Sequence, residues 1–331
     1  MLSSQRVAAL AKESAFDLCG FARAEPIPPA ALLEWLEAGM DADMDWMGAR
    51  AADRLDVGRL LPNARTVVAL ACNYYQGELA SPIARYARGR DYHATLRDRL
   101  RAFRRRLHAA YPEVETYGSV DSGPLMEKVW AARAGIGYVG KNGCLITEAF
   151  GSYVVLAALV LDAPVDSYAD GSLPDRCGSC SLCLSSCPTE ALAGEGRVDS
   201  RRCLSYQTIE NDGAVPLTLR EALADVVFGC DICQEVCPLN ARPVIGGERF
   251  APRAVASLSV RELAALTRAQ YDALVPGTAL ARAKYDGLRR NAAYALGAAR
   301  ERDAKHVLES LLGDASEPVR EAAAWALTRL A

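Results

Sequence analysis

Two cysteine runs, RCGSCSLCLSSCP at 176–188 and FGCDICQEVCP at 228–238, constrain this chain more than any other feature. Cys177, Cys180, Cys183 and Cys187-Pro188 follow the spacing C-x2-C-x2-C-x3-C-P. In that arrangement three close thiolates wrap one four-iron cubane and the fourth reaches a second. The other run offers Cys230, Cys233 and Cys237-Pro238 and is one ligand short. By the same exchange Cys237 completes the first cluster with Cys177, Cys180 and Cys183. Cys187, Cys230 and Cys233 then need one more thiol, and Cys203 in RRCLSYQTIE is the nearest spare. Cys19, Cys72 and Cys144 stand in apolar or loop settings and read as small core residues. The rival is a pair of structural zinc sites, but zinc needs neither a third cysteine two residues further on nor the Cys-Pro ends. Two adjacent cubanes make a path for single electrons.

Cysteines in such number point to metal rather than disulfides if the chain works in a reducing compartment. No apolar run approaches the roughly 18 residues of a membrane span. The opening stretch MLSSQRVAALAKESAFDLCG carries charges where a signal peptide is apolar, so the expectation is a cytoplasmic protein with no membrane partner. The net charge of −3 alone argues against nucleic acid, but from Arg242 to Ala331 there are 14 Lys+Arg against 10 Asp+Glu, which leaves 24 against 31 upstream.

The texture of the chain suggests an α+β protein in three parts. Residues 1–165 mix helical and strand patterns: helices in SQRVAALAKESAFDLCG, PPAALLEWLEAG, DYHATLRDRLRAFRRRLHAAYPE and PLMEKVWAARAG, and strands in ARTVVALACNYY and ETYGSVD. CLITEAFGSYVVLAALVLD reads as two strands around a turn at Gly151. Residues 166–245 are rich in cysteine and loop formers, a bacterial-type two-cluster ferredoxin domain. Residues 246–331 are alanine- and leucine-rich helix, where LRRNAAYAL (288–296) matches VREAAAWAL (319–327) at an offset of 31. This is the pattern of stacked HEAT-like helical hairpins, or of two ordinary alanine-rich helices. GIGYVG (135–140) fits the dinucleotide fingerprint formally, but a helix precedes it instead of a strand, so it reads as a helix C-cap and loop.

RYARGRDYH, VDSGPLMEKVWAARAGIGYVGKNGCLIT, CGSCSLCLSSCPTEAL, CLSYQTIE, FGCDICQEVCPLN and GLRRNAAYALG, in this order, resemble the epoxyqueuosine reductases over nearly the whole chain. The resemblance implies an oxidoreductase with a cobalamin and two 4Fe-4S clusters. Its reaction would convert epoxyqueuosine to queuosine at the wobble position of tRNA, with residues 1–165 holding cobalamin and substrate. It also implies Asp121 as proton donor. Arg54, Tyr86, His93, Lys141 and Asn142 would line the cobalamin or substrate pocket, and Ser205 and Asp231 would touch the corrin edge. An aspartate is ionised at pH 7 unless burial or nearby electron density raises its pKa, so that role predicts a raised pKa for Asp121; the alternative is an N-cap on the following helix. The lower-ligand signature D-x-H-x-x-G fails at DYHATL, where Leu96 takes the last place, and His93, His108 and His306 are the only histidines. A cobalamin without a histidine ligand fits better.

For tRNA, Lys284, Arg289, Arg290 and Asn291 are the expected contacts of a 246–331 tRNA-binding unit, with the Arg97, Arg99, Arg101, Arg104, Arg105 and Arg106 run as second choice. The expected partners are the anticodon stem-loop and a low-potential donor such as ferredoxin or flavodoxin, acting on a monomer. Two other readings are a reductive dehalogenase of small molecules and an electron-transfer scaffold.

Overall fold

The computed structural model describes residues 1–330. Eight strands form in chain order: β1 Leu18–Arg23, β2 Thr66–Asn73, β3 Thr116–Ser119, β4 Gly137–Val139, β5 Leu145–Thr147, β6 Val154–Leu161, β7 Leu192–Gly194 and β8 Arg197–Val198. The main sheet is antiparallel with order β1-β2-β6-β3. Every residue of β2 is buried, because helices cover both faces. Side chains alternate along a strand. Val68, Leu70 and Cys72 therefore pack with Leu96, Leu100, Phe103 and Leu107 of the Tyr92–Ala110 helix. Val67, Ala69 and Ala71 face Trp130 and Ala131 of the Glu127–Arg133 helix, where the small residues make room for the indole.

The two strands flanking Gly151 form, but they do not pair with each other. β5 joins β4 in a separate ribbon, while β6 lies centrally in the main sheet. The GIGYVG loop closes the Glu127–Arg133 helix: Gly135 has φ 71°, and Ile136 N–H reaches Ala131 O at 3.0 Å. This Schellman-type cap needs a left-handed residue that glycine supplies without strain, and β4 follows it.

The similar segments at offset 31 fall on the helices Lys284–Ala298 and Glu317–Leu330, which pack closely; a Cβ on Gly297 would lie 2.6 Å from Ala326 Cα. Their apolar core continues into Leu204, Val227 and Phe228, so the C-terminal helices and the cysteine-rich region share one interior. Here the structure corrects the expected tRNA contacts. Arg290 is 1% exposed and Asn291 fully buried. Arg290 donates to the carbonyls of Asn211 (2.6 Å), Gly213 (2.7 Å) and Gln207 (3.0 Å), and Asn291 donates to those of Thr208 (2.8 Å) and Val227 (2.9 Å). Gln207 and Thr208 carry carbonyls that the end of the Leu204–Ile209 helix leaves without helical partners, and a cation there also suits the helix dipole. Arg289 is paired with Asp314 at 2.6 Å and is mostly buried. Only Lys284 is exposed, beside Asp212 at 2.7 Å. The second-choice run is also partly turned inward: Arg99 reaches the Cys72 sulfur and Arg104 reaches Thr116.

Arg290→Ala would leave several buried carbonyls without a donor. We expect it to cost about 3 kcal/mol or more in denaturant unfolding, and Lys284→Ala to change stability by less than about 0.5 kcal/mol.

Candidate active site and cluster centres

Two cavities meet behind the edge of the main sheet. An outer one of about 770 Å³ and an inner one of about 500 Å³ share Met47, Arg54, Tyr86, Tyr92 and Asp121. Asp121 lies just past β3, on a turn where it has φ 51°. A non-glycine residue held there costs on the order of 1–3 kcal/mol and persists only when its surroundings fix it. Glu127 fixes the backbone, accepting Asp121 N–H at 2.9 Å. The carboxylate accepts from Tyr92 OH and from His93 Nε2 at 2.9 Å, so Asp121 does not cap the following helix. Its side chain is 57% exposed, open to the cavity.

His93 is placed by the start of its helix. Asp91 is the N-cap, accepting His93 N–H at 2.9 Å and facing His93 Nδ1 at 2.8 Å. Tyr92 stacks on the imidazole with centroids 4.0 Å apart, and Tyr86 meets Tyr92 edge-on at 5.6 Å. Burial works against a charged imidazole, but hydrogen bonds and charge from Asp121 and Asp91 prevail and lift the His93 pKa to about 9. Burial likewise raises Asp121, yet hydrogen bonds from His93 and Tyr92 and the charges of His93 and Lys128 outweigh it, and its pKa falls below the usual value. The expected raised pKa at Asp121 is thus overturned; the stored proton belongs to His93. Glu127 carries a second raised pKa, about 7, from burial and the nearby Asp121 charge, against its backbone hydrogen bonds and Arg54.

Arg54 is 7% exposed and points at the carbonyls of Met47, Trp46 and Gly123 between the cavities. Ser205 lines the inner cavity, Tyr86 both, and His93 the outer. Three other expected pocket residues lie elsewhere. Lys141 donates to Gly178 O at 2.6 Å and Cys180 O at 2.9 Å, and Asn142 reaches Cys233 O at 3.5 Å, so both bind the cysteine loops together. Asp231 is buried and accepts Arg85 N–H at 2.6 Å. Their polar groups are used up before they reach the large cavities.

The cysteines gather in two sets. Cys177, Cys180, Cys183 and Cys237 ring a cavity of about 220 Å³. In the other set, burial and the charge of neighbouring thiols raise Cys203 and lift Cys230 to about 12; Cys187 is among the neighbours of both, and Cys230 and Cys203 both act on Cys233. Such crowding opposes ionisation until cations are present, which suits thiolates that iron would neutralise. Among the described residues no three His, Cys, Asp or Glu converge on a single ion position. The first set surrounds a void instead, as a cubane requires and one zinc does not. Cys144, expected as a core residue, stands against Cys233 and lines the inner cavity.

Comparison with known proteins agrees with this arrangement. Residues 54–122 match the family "Epoxyqueuosine reductase QueG, DUF1730", and residues 176–240 match "4Fe-4S double cluster binding domain". An epoxyqueuosine reductase from Pseudomonas aeruginosa is 41% identical over 318 residues, covering 91% of this chain and 86% of that protein. The chain belongs to the epoxyqueuosine reductase family. Another family member, from Gloeobacter violaceus, is 39% identical, covering 89% of this chain and 96% of its own. A crystal structure of an epoxyqueuosine reductase with an epoxyqueuosine-modified tRNA stem loop superposes with TM-score 0.89 at 28% identity, over 98% of this chain and 89% of that one. The Bacillus subtilis enzyme with its catalytic aspartate loop swung out of the active site gives 0.87 at 27%, over 98% and 90%.

Sequence reasoning passed over Tyr92, Asp91 and Glu127. The Asp-x-His spacing at a helix start was the available signal for Asp91, whereas nothing local marks Glu127, whose role arises from the turn folding back on its helix.

Two outcomes test this site. By NMR, His93 should titrate near pH 9, and Asp121→Asn should move it down towards about 6.5. Because the folded pKa is raised, the stability contributed by charged His93 is complete below about pH 6.5 and is lost as pH rises through about 9. Separately, Cys203→Ala should lose one cluster, about four irons of about eight, while Cys144→Ala keeps both. Equal iron in the Cys203→Ala variant and the parent would remove Cys203 from the ligand set.

Proposed function

We propose that this chain reduces epoxyqueuosine in tRNA to queuosine at the wobble position, with a cobalamin in the inner cavity and two 4Fe-4S clusters feeding it. The observation that carries this reading is Asp121 on the shared wall of two cavities, the inner of which reaches the second cysteine set through Cys144 and Ser205.

The inner cavity suits a corrin. β3 pairs β6 only from Ala158 to Leu161, so residues 154–157 have no strand on that side and offer backbone groups to the amide side chains of a corrin ring. Val154, Val155, Leu156, Leu125 and Met126 add apolar wall. Both His93 nitrogens are engaged by carboxylates, which favours cobalamin without a histidine ligand. The first cysteine set has the partly exposed Leu182 and Leu239 beside it, an apolar patch where a ferredoxin or flavodoxin could deliver electrons. The reading includes residues 1–165 as cobalamin and substrate domain, 166–245 as ferredoxin-like domain and 246–331 as HEAT-like helices. In this reading the C-terminal helices brace the cluster region. Cytoplasmic location and a monomeric state complete it; among the described residues no helix is long and apolar enough to cross a membrane.

Converting an epoxide to an alkene takes two electrons and two protons and releases water. Cobalamin, when bound, supplies reducing electrons to the ring carbon. The protein residues manage the protons. His93 holds one at Nε2 against Asp121 Oδ2; as the epoxide oxygen departs, this proton passes through the otherwise ionised Asp121 carboxylate to that oxygen, and a second proton taken up from the open cavity completes the water. Tyr92 and Glu127 keep the Asp121 turn in place, and Arg54 ties the Trp46–Met47 segment to Gly123.

Asp121→Asn should retain corrin and iron yet lose about 100- to 10,000-fold in turnover of epoxyqueuosine-containing stem-loop. Near-normal turnover would take Asp121 out of the proton path, and absence of corrin after anaerobic reconstitution of the wild type would overturn the reading as a whole.

A further inference from the structure

The buried Arg290 and Asn291 leave open which surface meets RNA, and a cleft beside the outer cavity supplies one. Its volume is about 410 Å³, and it shares Trp46, Ile209, Glu210 and Arg282 with the outer cavity, adding Asp212 and Lys284 at its rim. Trp46 is 45% exposed, in contrast to the fully buried Trp130. The Arg282 guanidinium lies 5.5 Å from the Trp46 ring centroid and binds Glu210 at 2.6 Å. Lys284 binds Asp212 at 2.7 Å, with both side chains largely exposed.

We propose that this cleft holds the unpaired nucleotide next to the reacting one, with its base stacked on Trp46 and its phosphate met by Arg282 and Lys284. The inference rests on the RNA-substrate reading above. Sequence-specific RNA recognition favours unpaired bases that are splayed out and stacked on aromatic rings or guanidinium planes. A nucleotide with its base in the outer cavity must continue, through its backbone, over the rim of that cavity, and Trp46 and Arg282 form part of that rim. Exposed ion pairs are weak and screened by salt. Lys284 can therefore exchange Asp212 for a phosphate at little cost, while Arg282, held through both oxygens of the largely buried Glu210, keeps that pair and meets the phosphate with its remaining guanidinium N–H group. The released Asp212 carboxylate becomes an acceptor for N–H groups on the base edge, a second interaction that a surface binding only backbone would lack.

The test is a double-mutant cycle on the cluster- and cobalamin-loaded protein. Binding is measured for an anticodon stem-loop containing epoxyqueuosine, either intact or with an abasic residue at the 5′ or the 3′ neighbour. Trp46→Ala should weaken binding of the intact loop about 10-fold or more, and Trp46→Phe should retain most of the affinity. An abasic residue at one neighbour should weaken wild-type binding similarly, and adding Trp46→Ala should cost little more. Arg282→Ala should flatten the dependence of log Kd on log salt by about 0.7 for the lost phosphate contact. Iron content and circular dichroism identify a misfolded Trp46→Ala protein, in which case the Phe and Arg282 variants decide. If neither abasic loop binds more weakly than the intact one, or if the Trp46 and abasic effects add in full, the cleft is not a nucleotide subsite. If wild-type protein neither binds nor reduces the intact loop, the RNA-substrate reading itself fails.

Discussion

Arg290 and Asn291 hold the two halves of this molecule in register. One guanidinium and one amide, both sealed from solvent, collect five carbonyl oxygens, four of them from residues 207–213. The helix tied down this way begins just after Cys203 and carries Ser205 into the inner cavity. Its far end presents Ile209 and Glu210 to the outer cavity. A proposed cluster ligand, a wall of the inner cavity and a wall of the outer one thus depend on one hydrogen-bonded clamp. Leaving such groups unpaired in an apolar interior is costly, so the clamp favours a single arrangement of these parts.

The Asp121 turn uses a similar device with charge. Asp121 has an unfavourable backbone conformation and a carboxylate between His93 and Tyr92, while Glu127 grips its N–H. The proton resides on His93 because two carboxylates flank the imidazole, and a charged imidazole between them is favoured over a neutral one. The turn is held by a few hydrogen bonds rather than by a strand ladder.

The cysteine sets were legible because cluster chemistry fixes ligand type and spacing within short segments, with Cys-Pro ends as markers. Most strands and helices of residues 1–165 were legible from period-two and helical patterns, but β1 was not: DLCG read as the end of the first helix, which stops at Glu13, and LCGFAR is a strand. The pairing of β5 with β4 was not, since a short apolar run before a turn looks the same whichever strand it joins. Arg289, Arg290, Lys141 and Asp231 share one difficulty: a charged side chain in a motif looks the same whether it meets a ligand or a partner within the protein.

By itself the sequence determined the family, the eight cluster cysteines proposed as ligands, the Asp121 turn and the helical tail, because each is written in contiguous residues whose local chemistry has few alternatives. Only the tertiary structure decided where charge resides. Burial and partners distant in sequence placed the proton on His93, lowered Asp121, raised Glu127 and turned Arg290 from a phosphate contact into a clamp. The reason is physical: desolvation and Coulomb interactions depend on distances in space, and the order of residues along the chain does not supply those distances.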